Sequence, residues 1–138
     1  MKAVMIRRLS PVTLLSAVRT AVEAGTGKAC VSDPDGRKAP FYGMELVGSE
    51  PKRTKCMRLD EFTVYLHAFA PPSRSQAGVL ELVQEVEEAL EATIELPPPF
   101  ELAGQDEDGI IQIKRDESGE WHAVVAYRLT VSYGLIVK

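Results

Sequence analysis

The sequence predicts an α+β fold, a two-layer sandwich in which a mostly antiparallel β-sheet carries two α-helices packed on one face. Three observations lead there. Residues 11–24 and 79–90 repeat apolar side chains at helical spacing, whereas residues 62–69 and 121–137 alternate them with the period of a strand. The elements follow the order helix, strands, helix, strands, and the strands of each group are joined by short connections, as antiparallel neighbours are.

The first helix begins at Ser10-Pro11, where a serine can cap the exposed N–H groups and a proline suits the first helical position. Leu14, Val18, Ala21 and Val22 then recur on one side, and Gly25 stands where a C-terminal cap is expected. Residues 27–31 read as a short strand, followed by the turn sequence Asp33-Pro-Asp-Gly36. Pro40 opens a strand over 41–47. A polar loop from Gly48 comes next, with basic residues at Lys52, Arg53, Lys55 and Arg58. Phe62, Val64, Leu66 and Ala68 alternate with Thr63, Tyr65, His67 and Phe69, so this strand pairs back on the previous one as an antiparallel hairpin, ended by Pro71-Pro72.

The second helix places Val79, Leu82, Val83, Val86, Ala89 and Leu90 on one face and Glu81, Glu85, Glu87, Glu88 and Glu91 mostly on the other, and the three prolines at 97–99 stop what remains of it. The rest reads as a meander: a strand over 100–105, a turn at Asp106-Glu-Asp-Gly109, a strand over 110–115, a turn at Asp116-Glu-Ser-Gly119, and a closing strand. In that last strand every odd position from Trp121 to Val137 is apolar or aromatic, a run longer than strands usually are, so a bend midway or a break at Gly134 is expected.

A chain of 138 residues, 45% hydrophobic and 26% charged, suits a single domain spanning residues 1–138. No apolar run approaches the roughly 20 residues that cross a bilayer. The opening Met1-Lys-Ala-Val-Met-Ile-Arg-Arg has too short an apolar stretch for a signal peptide, which places the chain in a cytoplasm. Cys30 and Cys56 form no C-x-x-C and read as small buried hydrophobes.

No catalytic, metal or cofactor site emerges. His67 and His122 each lie inside a strand without a carboxylate or cysteine at ligand spacing. Gln105-Asp-Glu-Asp lacks the alternating ligands and distal glutamate of a calcium loop. There is no nucleophile elbow and no phosphate-cradling glycine loop. Nucleic-acid binding has one candidate, the segment from Lys52 to Arg58, which is short, lacks interleaved aromatics and belongs to a chain of net charge −4; the reading goes against it.

Charge is unevenly distributed. Residues 1–58 carry eleven Lys/Arg against five Asp/Glu, a net of +6, and residues 59–138 carry five against fifteen, a net of −10. Either the fold intermixes the two halves as solvated faces, or a basic patch meets an acidic patch on a neighbouring copy. In the second case the contact residues are Lys52, Arg53, Lys55 and Arg58 on one side and Glu81, Glu85 and Glu88 on the other.

Read together, these elements resemble the tail terminator proteins (tail completion, or head-tail joining proteins) of long-tailed bacteriophages. The resemblance rests on the helix at 11–24, the proline-led strand Pro40-Phe41-Tyr42, the charged and then alternating strand at 58–70, the Val-Glu-Glu-Ala-Leu helix at 86–90 and the closing Ala-Tyr-Arg-Leu-Thr-Val-Ser-Tyr at 126–133. The stretch before Ser10 and the prolines at 97–99 depart from that pattern. The resemblance implies a structural, non-enzymatic virion protein, without cofactor. It implies a homo-oligomeric ring, commonly a hexamer, that caps the tail tube and faces the head connector. Its partners would be itself, the tail-tube protein and the head-connector protein, with no membrane; it would be made in the host cytoplasm and end in the tail of the virion. Two other classes fit the residues: a small-molecule-binding or enzymatic α+β domain with dispersed pocket residues, and an adaptor that binds a partner without forming a ring.

Overall fold

The computed structural model describes residues 8–54 and 57–135. The expectations placed on residues 1–7, Lys55, Cys56 and Val137 lie outside the described residues. In chain order the elements are α1 (Pro11–Thr26), β1 (Cys30–Val31), β2 (Phe41–Arg53), β3 (Met57–Ala70), α2 (Ala77–Ala89), β4 (Glu101–Arg115) and β5 (Trp121–Leu135). They build one five-stranded sheet in the order β1-β2-β3-β5-β4, antiparallel throughout except for the short β1–β2 pairing. Both helices lie on one face of it, which is the α+β arrangement that the periodicities predict.

The core follows from the strand alternation. In β3 the even-numbered Phe62, Val64, Leu66, Ala68 and Ala70 are buried. Register sets Phe62, Val64, Leu66 and Ala68 directly opposite Leu129, Tyr127, Val125 and Ala123 of β5, so both rows share one face of the sheet. Leu14, Val18 and Val22 of α1 and Val79, Leu82, Val83 and Val86 of α2 close over that face. Each such side chain contributes roughly 1.5–3 kcal/mol on burial, which is why these two layers hold the chain together. Tyr42 ties the layers with a polar contact, its buried hydroxyl donating to the carbonyl of Leu82 at 2.6 Å. Burial, and then the nearby Glu85, push that hydroxyl above its ordinary range.

Several local expectations change. Helix α1 continues to Thr26 and ends at Gly27, whose φ of 71° only glycine adopts cheaply and whose N–H caps the carbonyl of Glu23. Gly25 is therefore not the cap. It lies where α1 and α2 come closest, and a methyl group built there would overlap Ala89. Helix α2 ends at Ala89, well before the prolines. The chain just past its end is held by Gln105, whose side-chain amide donates to the carbonyls of Leu90 and Ala92 and accepts from the N–H of Ile94.

The polar loop expected from Gly48 is instead strand: β2 and β3 stay paired out to Arg53 and Arg58 while β5 accompanies β3 as far as Met57, so this arm is one end of the sheet with an exposed β2 edge. Pro51 is tolerated within β2 because β1 pairs only with Tyr42 and Gly43, leaving the outer edge of the arm without a ladder to break. The turn expected at residues 106–109 is a β-bulge within one continuous β4, with Gly109 at φ 87° absorbing the extra residue. Strand β5 runs unbroken through position 134, buried on both faces from Ala123 to Tyr127.

Candidate functional site

The predicted contact residues distribute over two regions. On the arm, Lys52 reaches Glu61 of the adjacent strand at 3.2 Å. Glu61 also faces Arg128 of β5 at 3.6 Å, and Arg128 binds Asp108 of β4 at 2.9 Å, so alternating charges cross four strands on the face opposite the helices. The Asp108 carboxylate is the main reason the Arg128 guanidinium holds its proton more tightly than usual. Arg53 and Arg58 stand directly opposite each other in register, and neither has a hydrogen-bonding or ionic partner among the described residues. Like charges in that position repel.

On α2, Glu85 is taken by Lys28 at 2.7 Å, and Glu88 accepts from Gln84 at 3.0 Å; Glu81 is exposed. Arg8 meets the buried Asp60 at 3.3 Å, where Tyr133 also donates at 2.7 Å. Thus Arg8–Asp60, Lys28–Glu85 and Lys52–Glu61 each join a cation of the basic half to an anion of the acidic half. Part of the charge asymmetry in the sequence is neutralised within the protomer, and Arg53, Arg58 and Glu81 are left outside those pairs.

Two groupings escaped the sequence reading. The first joins Glu87 of α2, Glu107 of β4 and Tyr127 of β5 on the wall of an open cavity of about 420 Å³, which Leu90, Glu91 and Leu102 also line. Tyr127 donates to Glu107 at 3.0 Å. Glu107, by accepting a hydrogen bond from the protonated Glu87 carboxyl, and then partial burial push that carboxyl up to about 7. Glu87 read as one more solvated glutamate and Glu107 as part of a turn; only the pairing of β4 with β5, under the end of α2, brings them together.

The second grouping is on the opposite face. His67 Nδ1 lies 2.7 Å from His122 Nε2, and His67 Nε2 lies 3.0 Å from Glu45. With Glu45 accepting from Nε2–H, the Nδ1 lone pair of His67 is free to accept from His122. The rings continue a stack through Phe69 to Phe41, with centroids 4.5–4.9 Å apart. Burial, and then His67, hold the His122 ring below its ordinary pKa. The histidines are 55 residues apart in sequence and sit diagonally on neighbouring strands, a relation periodicity does not reveal. Among the described residues, no three His, Cys, Asp or Glu side chains converge as a metal site would require. Cys30 is buried, and burial pushes its thiol up to about 12, away from the reactive thiolate. No helix among the described residues is long and apolar enough to cross a membrane.

Comparison with known proteins agrees with the architecture. A phage tail terminator family, described as "Putative tail termination protein", matches residues 5–138. Among solved structures, a chain from "Virion of native gene transfer agent (GTA) particle" superimposes with a TM-score of 0.59 at 16% identity, covering 88% of this chain and 96% of that one, which establishes a common fold. No curated protein matches the sequence. With the family match running over nearly the whole sequence, the chain belongs to the phage tail terminator family and is a structural protein of a phage-type tail.

Proposed function

We propose that this protein assembles in the host cytoplasm as a homo-oligomeric ring, a hexamer in the commonest arrangement. The ring caps the head-proximal end of the tail tube and presents its other side to the head connector, without enzymatic activity, and it is retained in the virion. The family match over residues 5–138 is the observation that carries this reading. The sheet is compatible with it. Its outer strands differ, with most of β2 unpaired on one side and all of β4 on the other among the described residues, as suits a contact between two unlike patches.

Mass in solution tests the proposal, measured by sedimentation for the protein alone and then with a tail-tube protein. A discrete closed oligomer, or one that forms on the tube, is the expected result. A protomer that stays monomeric at every concentration and ignores the tube overturns the ring and leaves an adaptor role.

A further inference from the structure

Two pairs of like charges have no opposite charge beside them among the described residues; they are opposite in sign and lie toward opposite edges of the sheet. At the tip of the β2–β3 arm, Arg53 faces Arg58 without a counter-ion among the described residues. By the β4 edge, Glu87 and Glu107 crowd together in an open cavity, with Glu91 on the same wall. Resting on the ring reading above, we infer that the arm tip of one copy docks into this acidic cavity of the next copy, with the guanidinium groups of Arg53 and Arg58 set against the carboxylates of Glu87 and Glu107.

The chemistry of both pairs supports the match. A guanidinium is planar, always charged and donates up to five hydrogen bonds in a fixed fork, so it can lie between two carboxylates and bind both. Leu90, Leu102 and Tyr127 form the apolar part of the cavity wall, where an ion pair is screened less than on an open surface. Lys52 is already engaged by Glu61, and Glu85 by Lys28, whereas Arg53 and Arg58 have no counter-ion among the described residues and no cation lines the cavity of Glu87 and Glu107. Geometry adds a constraint. The arm lies at the β2 side of the sheet, whereas the cavity lies between α2 and β4, with β3 and β5 between them in the strand order. The two patches lie toward opposite edges of the sheet, so the contact is drawn between copies rather than within one. Unlike patches that meet head to tail propagate, and they form a ring when the rotation closes.

Paired charge reversals test this. The variant R53E/R58E has an acidic arm and an acidic cavity; E87K/E107K has a basic arm and a basic cavity. Each alone is expected to associate at least about tenfold more weakly than wild type, because like charges now meet at every junction. Mixed in equal amounts they are expected to co-assemble, since every junction can then pair opposite charges. Circular dichroism melts establish that each variant is folded, and the arm variant alone remains informative if the cavity variant is not. Association of R53E/R58E equal to wild type at low and high salt overturns the proposal, as does a folded pair that fails to co-assemble. Loss of binding to the tail-tube protein with self-association intact also overturns it, by assigning the arm to a different partner. A wild type that never self-associates defeats the ring reading itself, a distinct result.

Discussion

The two layers around β3 and β5 and the outer parts of the sheet are built on different principles. In the layers, apolar side chains from α1, α2, β3 and β5 interlock, and polar groups enter only where they find partners, as Tyr42 does at Leu82. In the arm and in β4, exposed residues dominate, ionic contacts replace apolar ones, and bulges interrupt the register. The first region carries the stability of the fold. The second is expected to contribute less, because exposed ion pairs are individually weak. Mutations should therefore separate the regions by what they damage.

The largest effect is expected at Val86, buried to 1% exposure between α2 and the sheet. Val86→Asp places an unpaired carboxylate there, at a cost of several kcal/mol against a total stability of roughly 5–15, and the domain should lose its cooperative thermal transition by circular dichroism. Gly25→Ala comes next. Alanine is the better helix former by about 1 kcal/mol, yet its methyl group meets Ala89 and forces the helices apart, so overpacking of about 1–3 kcal/mol should leave a lower melting temperature. An unchanged or raised value would show that the helices part freely.

Smaller still is the contribution of the Glu87 pair, which is open to water and screened. Because the Glu87 pKa is raised from 4.5 to about 7 on folding, the folded state holds the proton more tightly than the unfolded one. The contribution is fully present below about 4.5 and is lost as pH rises toward about 7. Denaturant titrations across this interval should show stability falling with pH from this source, and Glu87→Gln should flatten that part of the profile. The smallest effect belongs to Lys52→Ala. Removing an exposed ion pair is worth about 0.2–1 kcal/mol, so the melting temperature should barely move. A loss of several kcal/mol would place the arm among the structural elements and erase the distinction between the two regions.

Legibility in the sequence followed the same division. Val79, Leu82, Val83 and Val86 announce α2, and the alternation from Phe62 to Ala68 announces β3, because burial on one face imposes a period on the residues themselves. Charged edge segments carry no such constraint. The residues at 106–109 have the composition of a turn, and pairing with β5 decides that they form a bulge. The basic segment after Gly48 is legible as a cluster, but its extension as paired strand depends on β3 continuing beside it. Glu87 with Glu107, and His67 with His122, become neighbours only through strand register, which local patterns do not encode. The expected contact of Lys52, Arg53, Lys55 and Arg58 with Glu81, Glu85 and Glu88 rests on charge alone, and the protomer by itself does not test it; the docking inferred above sets Arg53 and Arg58 against Glu87 and Glu107, a cavity wall that no cation lines.

The side chain of Gln105 gives the β4 edge a mechanical character. Strand β4 packs its backbone against β5 and against neither helix. Apart from the apolar contacts of Leu102 and Ile113, it is joined to the end of α2 by the Gln105 amide, which holds Leu90, Ala92 and Ile94, and by Glu107 beside Glu87. Apolar surfaces slide past one another and yield gradually, whereas hydrogen bonds are directional and fail over a fraction of an ångström. The edge strand is thus fastened in two ways, to β5 along its ladder and to the end of α2 chiefly through one amide, so a change at Gln105 can loosen the helix end without unpairing the sheet.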